Sequence, residues 1–225
     1  TTEAGTWQPT DSVITARGCS VRHAHFPYPL ANITGTLTQL DTTRDMRVQV
    51  DALASERPVT FRGTIRNIGP EAESQIAVSV SRLPLNETFR AAVKPAVRRT
   101  LDALDLHGSV DIQAHLTRPA GPNRKMHTRL AARLVNSQVR YEKFPWLLER
   151  LGGEITAELT PTNHRWTFKD LSARHGTATL SGSGHYSASP GKRGQLALDI
   201  RARDVTLDKE LKGACSETQR RLWDR

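Results

Sequence analysis

Two cysteines in 225 residues, Cys19 and Cys215, are too few for a disulfide framework or a cysteine-ligated zinc. One lies in a strand-like stretch and the other on a helical apolar stripe. Both are expected as small, mostly buried hydrophobes. Long apolar runs are missing too: nothing approaches the roughly 18 uninterrupted apolar residues of a transmembrane helix. An initiator Met and a basic-then-apolar leader are absent, and the opening TTEAGTWQPT reads as a point where a longer chain was cut.

Catalytic signatures are equally scarce. There is no Gly-x-Ser-x-Gly elbow, no Gly-Lys-Ser/Thr phosphate loop and no Cys/His pair of a catalytic thiol. His23 and His25 alternate and would share a strand face, but no third ligand follows at metal-binding spacing. His164, His175 and His185 have no acidic partner nearby in sequence. The glycines of LSGSGHY (180–186) interrupt a strand pattern instead of joining strand to helix, which predicts a bulge or close backbone packing. Asn32-Ile33-Thr34 and Asn86-Glu87-Thr88 match glycosylation acceptors, the second better read as a helix cap. The pairs Asp102/Asp105 and Asp204/Asp208 are expected at caps and turns. No catalytic residue, metal or cofactor is expected, and the chain reads as a non-enzyme.

What the chain does have is 37% hydrophobic residues, enough for a buried core, and a formal net charge of +9. Of the 32 basic residues 25 are arginines and seven are lysines, scattered without a dense basic run. They fit a solvated face or an anion-attracting rim.

Apolar and polar residues alternate with period two over much of the length, the mark of half-buried strands. Met46–Val50, Val59–Ile65, Ile76–Val80, Val110–Leu116, Ile155–Leu159, Trp166–Phe168 and Leu196–Ile200 all do so. Turn clusters at 67–70, 119–123 and 189–192 separate them. Short strands with tight turns predict antiparallel meanders. Two stretches have helical spacing. In 86–104, Asn86 is the N-cap and Phe89, Val93, Val97, Leu101 and Leu104 form one stripe, with a kink or a break at Pro95. In 208–223, Asp208 caps a stripe of Leu211, Cys215 and Leu222.

The chain also repeats itself. VRHAHFPYPLANITGTLT (21–38) and VRYEKFPWLLERLGGEIT (139–156) match at an offset of 118, through Val21/Val139, Phe26/Phe144, Pro27/Pro145 and Gly35/Gly153. RGT (62–64) aligns with SGS (181–183) at 119, and VSRLPLNETFRAAV with ARDVTLDKELKGAC at 122. Two units, 1–105 and 106–225, are therefore expected, each ending in a helix, sharing one continuous sheet and belonging to a longer repeat protein. About six strands at 4.8 Å would advance the sheet by roughly 30 Å per unit. Such a sheet must hide its apolar face in a closed sandwich or offer it in a trough.

The phrases FPYPLANITGTLT and RLPLNETFRAAV, and the tail from DLSARHGTATLSGSGHY to DVTLDKEL, resemble the AsmA-like superfamily of bacterial envelope proteins. The matching positions are Phe144, Pro145, Gly153, Ile155, Trp166, Asp170, Leu171, His175, Gly176, Gly182, Gly184, Asp204, Leu207 and Asp208. The resemblance implies a mainly β fold, an elongated, curled antiparallel sheet forming an apolar groove, with short α-helices. It implies a periplasmic lipid-transfer or envelope-maintenance protein tethered to the inner membrane through parts outside this chain. Phospholipid or another acyl-chain lipid is the expected partner, envelope proteins are further candidates, and nucleic acid is not expected.

Groove candidates are Val48, Val50, Phe61, Ile65, Val78, Val80, Ile112 and Leu116 in the first unit, and Ile155, Leu159, Phe168, Leu180, Leu198 and Ile200 in the second. Two other readings stand beside this one. One is a non-enzymatic scaffold for outer-membrane assembly that offers strand edges. The other is a binder of anionic polymers that relies on the positive charge.

Overall fold

Period-two alternation resolves into eleven strands. The computed structural model describes residues 12–24, 26–40, 44–189 and 191–223. The strands are β1 (Val13–His23), β2 (Phe26–Leu40), β3 (Asp45–Ala54), β4 (Arg57–Arg66), β5 (Glu73–Pro84), β6 (His107–Arg118), β7 (His127–Tyr141), β8 (Phe144–Leu159), β9 (His164–His175), β10 (Ala178–Ala188) and β11 (Gln195–Arg203). They form one open antiparallel sheet in sequence order, not closed into a barrel. The expected mainly β architecture is the one observed. His25 and the residues before 12 lie outside the described residues, as does the side chain of Leu222.

Four short helices complete the fold: α1 (Glu87–Ala92), α2 (Pro95–Ala103), α3 (Lys209–Ala214) and α4 (Glu217–Trp223). Asn86 Oδ1 accepts from Phe89 N at 3.1 Å, and Asp208 Oδ1 from Leu211 N at 2.9 Å, so both expected N-caps are in place. Pro95 opens α2, where its missing N–H costs nothing, and the break falls at Val93 and Lys94. The second segment is not one helix but two. Cys215 is extended (φ −70°, ψ 151°), as its counterpart Val93 is (φ −80°, ψ 161°). Because the chain turns there, Val97 leaves the expected stripe and is 37% exposed.

The repeat persists in local detail. Bulges interrupt β1–β2 pairing at Cys19 and Val21, and β7–β8 pairing at Ser137 and Val139, 118 positions on. Gly35 and Gly153 both adopt φ +133°. A Cβ at Gly35 would run into the Gln49 carbonyl oxygen, and one at Gly153 would meet Leu171 Cα at 2.9 Å. Only glycine fits either place. In β10, the register shift falls between Gly182 and Gly184, the bulge expected of LSGSGHY.

Helix α1 packs over β2, and α3 over β8. Under α1 and α2 lies a core of Tyr28, Val59, Val80, Leu83, Leu85 and Val110. Under α3 lies a smaller one built on Trp146, Ala178 and Ala214. Arg90, 8% exposed, joins α1 to its surroundings through Asp102 Oδ1 at 2.8 Å and the Leu106 carbonyl at 2.6 Å. Asp102 is thus an ion-pair partner and not a cap, and Asp105 likewise holds His107 at 2.7 Å. Arg90→Ala leaves the Leu106 carbonyl without its charged donor. It should cost about 2 kcal/mol, which lowers the thermal midpoint by roughly 4–8 °C in a chain of this size.

The cysteines depart from expectation. Cys19 is exposed and Cys215 half-buried, and both are free thiols. Cys19 sits on an edge strand. Ser137, its counterpart in β7, is fully buried because β6 lies against it there, with Gly108 packed on its Cα.

Candidate functional site

Antiparallel pairing puts directly opposed residues on the same face, so the register assigns every candidate. Val48 faces Gly63, Val50 faces Phe61, and Phe61 faces Val78. Val78 meets Ala114, Val80 meets Ile112, and Ile112 meets Ala132. Ala132 leads to Ile155, Ile155 to Phe168, Phe168 to Gly184 and Gly184 to Leu198. By the same register Ile65, Leu116, Leu159, Leu180 and Ile200 fall on this side. All fourteen residues, from two separate units, line one continuous face.

Sequence reading missed members of the same face. Leu130 and Ala132 in β7, Ile76 in β5 and Trp166 in β9 stand in register with the rest. In β7 the signal was present as Leu130, Ala132 and Leu134 alternating with Arg129, Ala131 and Arg133. Tyr28 and Trp146 were also missed. They follow the Phe-Pro pair in each unit and are 2% and 6% exposed. Tyr28 Oη is 2.7 Å from Ser55 Oγ. Trp146 lies against His175 with the rings tilted by 36° and centroids 4.4 Å apart, and its buried Nε1 has no hydrogen-bond partner among the described residues.

The face is neither a dry core nor a bare surface. Of the fourteen candidates, only Val48 and Val80 are buried, Leu198 and Ile200 are exposed, and the other ten lie between. Many of the side chains deepest in the fold are small: seven of the 17 buried hydrophobic residues are alanines. Accessible surface totals 15716 Å², against about 10,200 Å² for a compact monomer of this mass. An open sheet with an incompletely covered apolar face has such a surface.

Successive connections fall at alternate ends of the strands, which makes the two long rims of this face different. The turns β2–β3, β4–β5, β6–β7, β8–β9 and β10–β11 lie at one end of the strands, and all the helices at the other. The helices therefore roof the apolar face from one rim, over Val59, Val80, Val110 and Leu180, leaving Ile65, Leu116 and Leu159 towards the helix-free rim.

The opposite face is polar. Gln49, Arg62, Ala77, His115, Arg129, Glu158 and Arg165 follow one another across it by register, with Arg62 paired to Asp51 at 2.6 Å and Arg129 to Glu158 at 3.5 Å. A shallow depression of about 360 Å³ lies there, lined by Gln113, His115, Arg129, Thr156, Glu158 and Arg165 among others.

The remaining histidines are accounted for in part. The fold brings Glu210, 35 positions away in sequence, to 3.3 Å from His175 Nε2, while His175 Nδ1 bonds the Leu147 carbonyl at 2.7 Å. Among the described residues, no three His, Cys, Asp or Glu side chains converge at metal-binding distance. No described helix is long and apolar enough to cross a membrane. Comparison with protein-family models, with curated proteins and with solved structures found no match.

Proposed function

We propose that the chain shelters acyl chains along its apolar sheet face, as one segment of a periplasmic lipid-transfer or envelope-maintenance protein without enzyme activity. The observation that carries this reading is the single apolar face, continuous from β3 to β11 and only partly roofed by helices. Apolar area left open to water is unfavourable by about 25 cal/mol per Å², and a monomer seldom tolerates a large contiguous patch without a partner for it. A phospholipid fits both sides of this geometry: tails against Leu116, Leu159 and Phe168, headgroup at the rim. The resemblance to AsmA-like proteins points the same way, including an inner-membrane tether outside this chain.

Native mass spectrometry of the purified chain, with lipid extraction of the same sample, tests this directly. Phospholipid should be retained at high salt, because burial of tails, unlike ion pairing, is not screened. Lipid-free protein that also fails to take up a fluorescent phospholipid from vesicles would reject the proposal.

One observation favours a second reading, a scaffold that offers strand edges. Every residue of β11 is exposed, Leu196, Leu198 and Ile200 at 59%, 47% and 60%. Among the described residues its outer side has no strand partner. Capture of an outer-membrane strand peptide by β11, in protein free of lipid, would support that role instead.

A further inference from the structure

The helix-free rim is built as a rigid, cationic ledge with apolar tips, and it is stitched together by hydrogen bonds that the groove does not need. Gly121 N donates to the Glu71 carbonyl at 3.1 Å. Arg118 donates to the carbonyls of Pro70 (2.8 Å), Ala72 and Arg124 (3.2 Å), so one guanidinium binds the β4–β5 turn to the β6–β7 loop. Ile68 N donates to the Arg44 carbonyl at 2.9 Å, and Asn67 N to Asp45 Oδ1 at 2.9 Å, which tie in the end of the β2–β3 connection. Loops usually exposed to drift are here held in one shape.

Two large apolar side chains stand on this ledge: Ile68 is 42% exposed and Met126 44%. Around them lie exposed Arg44, Arg66, Arg124 and Lys125, and further along the same rim Lys192 and Arg193. Described acids at this end are Asp45, Glu71 and Glu73, and Glu158 on the polar face, which pairs with Arg129 at 3.5 Å. Asp45 is engaged with Asn67 N and Glu73 accepts from Gln75 Nε2 at 3.2 Å. Among the described residues, Arg66, Lys125, Lys192 and Arg193 form no ion pair. At the helix-bearing rim Arg98 pairs with Glu87 at 2.6 Å and Arg90 with Asp102, while exposed Lys94, Arg99, Arg140 and Lys143 form no ion pair among the described residues.

We infer that this rim docks on an anionic bilayer surface. Unpaired Lys and Arg supply attraction to headgroups over a Debye length. Ile68 and Met126 are the side chains that enter the acyl boundary once the loops touch it. A polyanion such as nucleic acid would use the same cations but gives the two apolar tips nothing to bury. The inference deepens the proposed function, because docking by this edge would set the open side of the groove against the source of lipid.

Vesicle co-sedimentation tests it, with 30% phosphatidylglycerol in phosphatidylcholine as the probe and pure phosphatidylcholine as reference. Wild type should bind the anionic vesicles selectively. The variant R124E/K125E/K192E/R193E should lose at least about tenfold in partitioning, and I68S/M126S should lose severalfold. R129E/R133E/R165E/R201E, an equal charge reversal on the polar face, should change it less than about twofold. Equal losses in both charge variants would reduce the effect to net charge and overturn the proposal. So would an unchanged I68S/M126S variant, or tighter binding to a DNA oligonucleotide than to the vesicles. Retained lipid is read separately in each variant. Its persistence alongside lost docking separates failure of the rim from failure of the groove.

Discussion

Trp146→Ala is expected to lower the stability of the chain by about 3–5 kcal/mol, the ordinary cost of emptying a buried aromatic site. Tyr28→Ala should cost about as much. Each ring is the largest buried side chain beneath its unit's first helix, packed with Ala92 of α1 in one case and Ala214 of α3 in the other. Those helices are six residues long, far below the length at which a helix persists in water by itself. They exist because they are seated, and removing the seat should melt them. Hydrogen exchange would then speed up in 87–103 for Tyr28→Ala and in 209–214 for Trp146→Ala. The conservative changes should separate the two sites. Tyr28→Phe gives up the bond to Ser55 and should cost about 1 kcal/mol. Trp146→Phe gives up an N–H that has no partner, so its loss is only of ring area. Chemical denaturation of the four variants decides this, and a loss under 1 kcal/mol for Tyr28→Ala would show that α1 does not depend on that ring.

Why the architecture could be read from residues, while parts of it could not, follows from the same physics. Alternation of Val48, Val50, Phe61, Ile65, Val78 and Val80 with polar neighbours fixes strands and their faces locally, because side chains point to opposite sides at each step. The offset of 118 between Phe26-Pro27 and Phe144-Pro145 carries the same geometry into both units. Neighbour-dependent properties are another matter. Cys19 and Ser137 hold equivalent positions, yet among the described residues only Ser137 has a strand on its outer side. Leu85 is 5% exposed and its counterpart Leu207 74%, since β6 is there to cover Leu85 and no described strand does so for Leu207. The meeting of His175 with Glu210 depends on where α3 lands, and no spacing in the sequence encodes that. The share of each candidate left open to solvent depends likewise on which rows the helices roof.

That division locates the most informative change in the groove itself. Leu116→Glu, Leu159→Glu and Phe168→Glu together should reduce retained phospholipid by at least about tenfold, since each would bury a carboxylate under an acyl chain. These three sit in β6, β8 and β9, on the apolar face, outside both buried clusters under the helices. They are half-buried in the chain alone, so a carboxylate there still reaches water and the fold should survive with a modest loss. A matched set makes the measurement specific. Thr117→Glu, Thr156→Glu and Thr167→Glu place the same number of charges on the same three strands, but facing the polar side by register. If acyl chains lie on the apolar face, the first set loses lipid and the second keeps it, at equal net charge. Equal loss in both would mean that lipid is held by charge and not by the face. Equal retention would mean that it lies elsewhere, and the groove reading would fall.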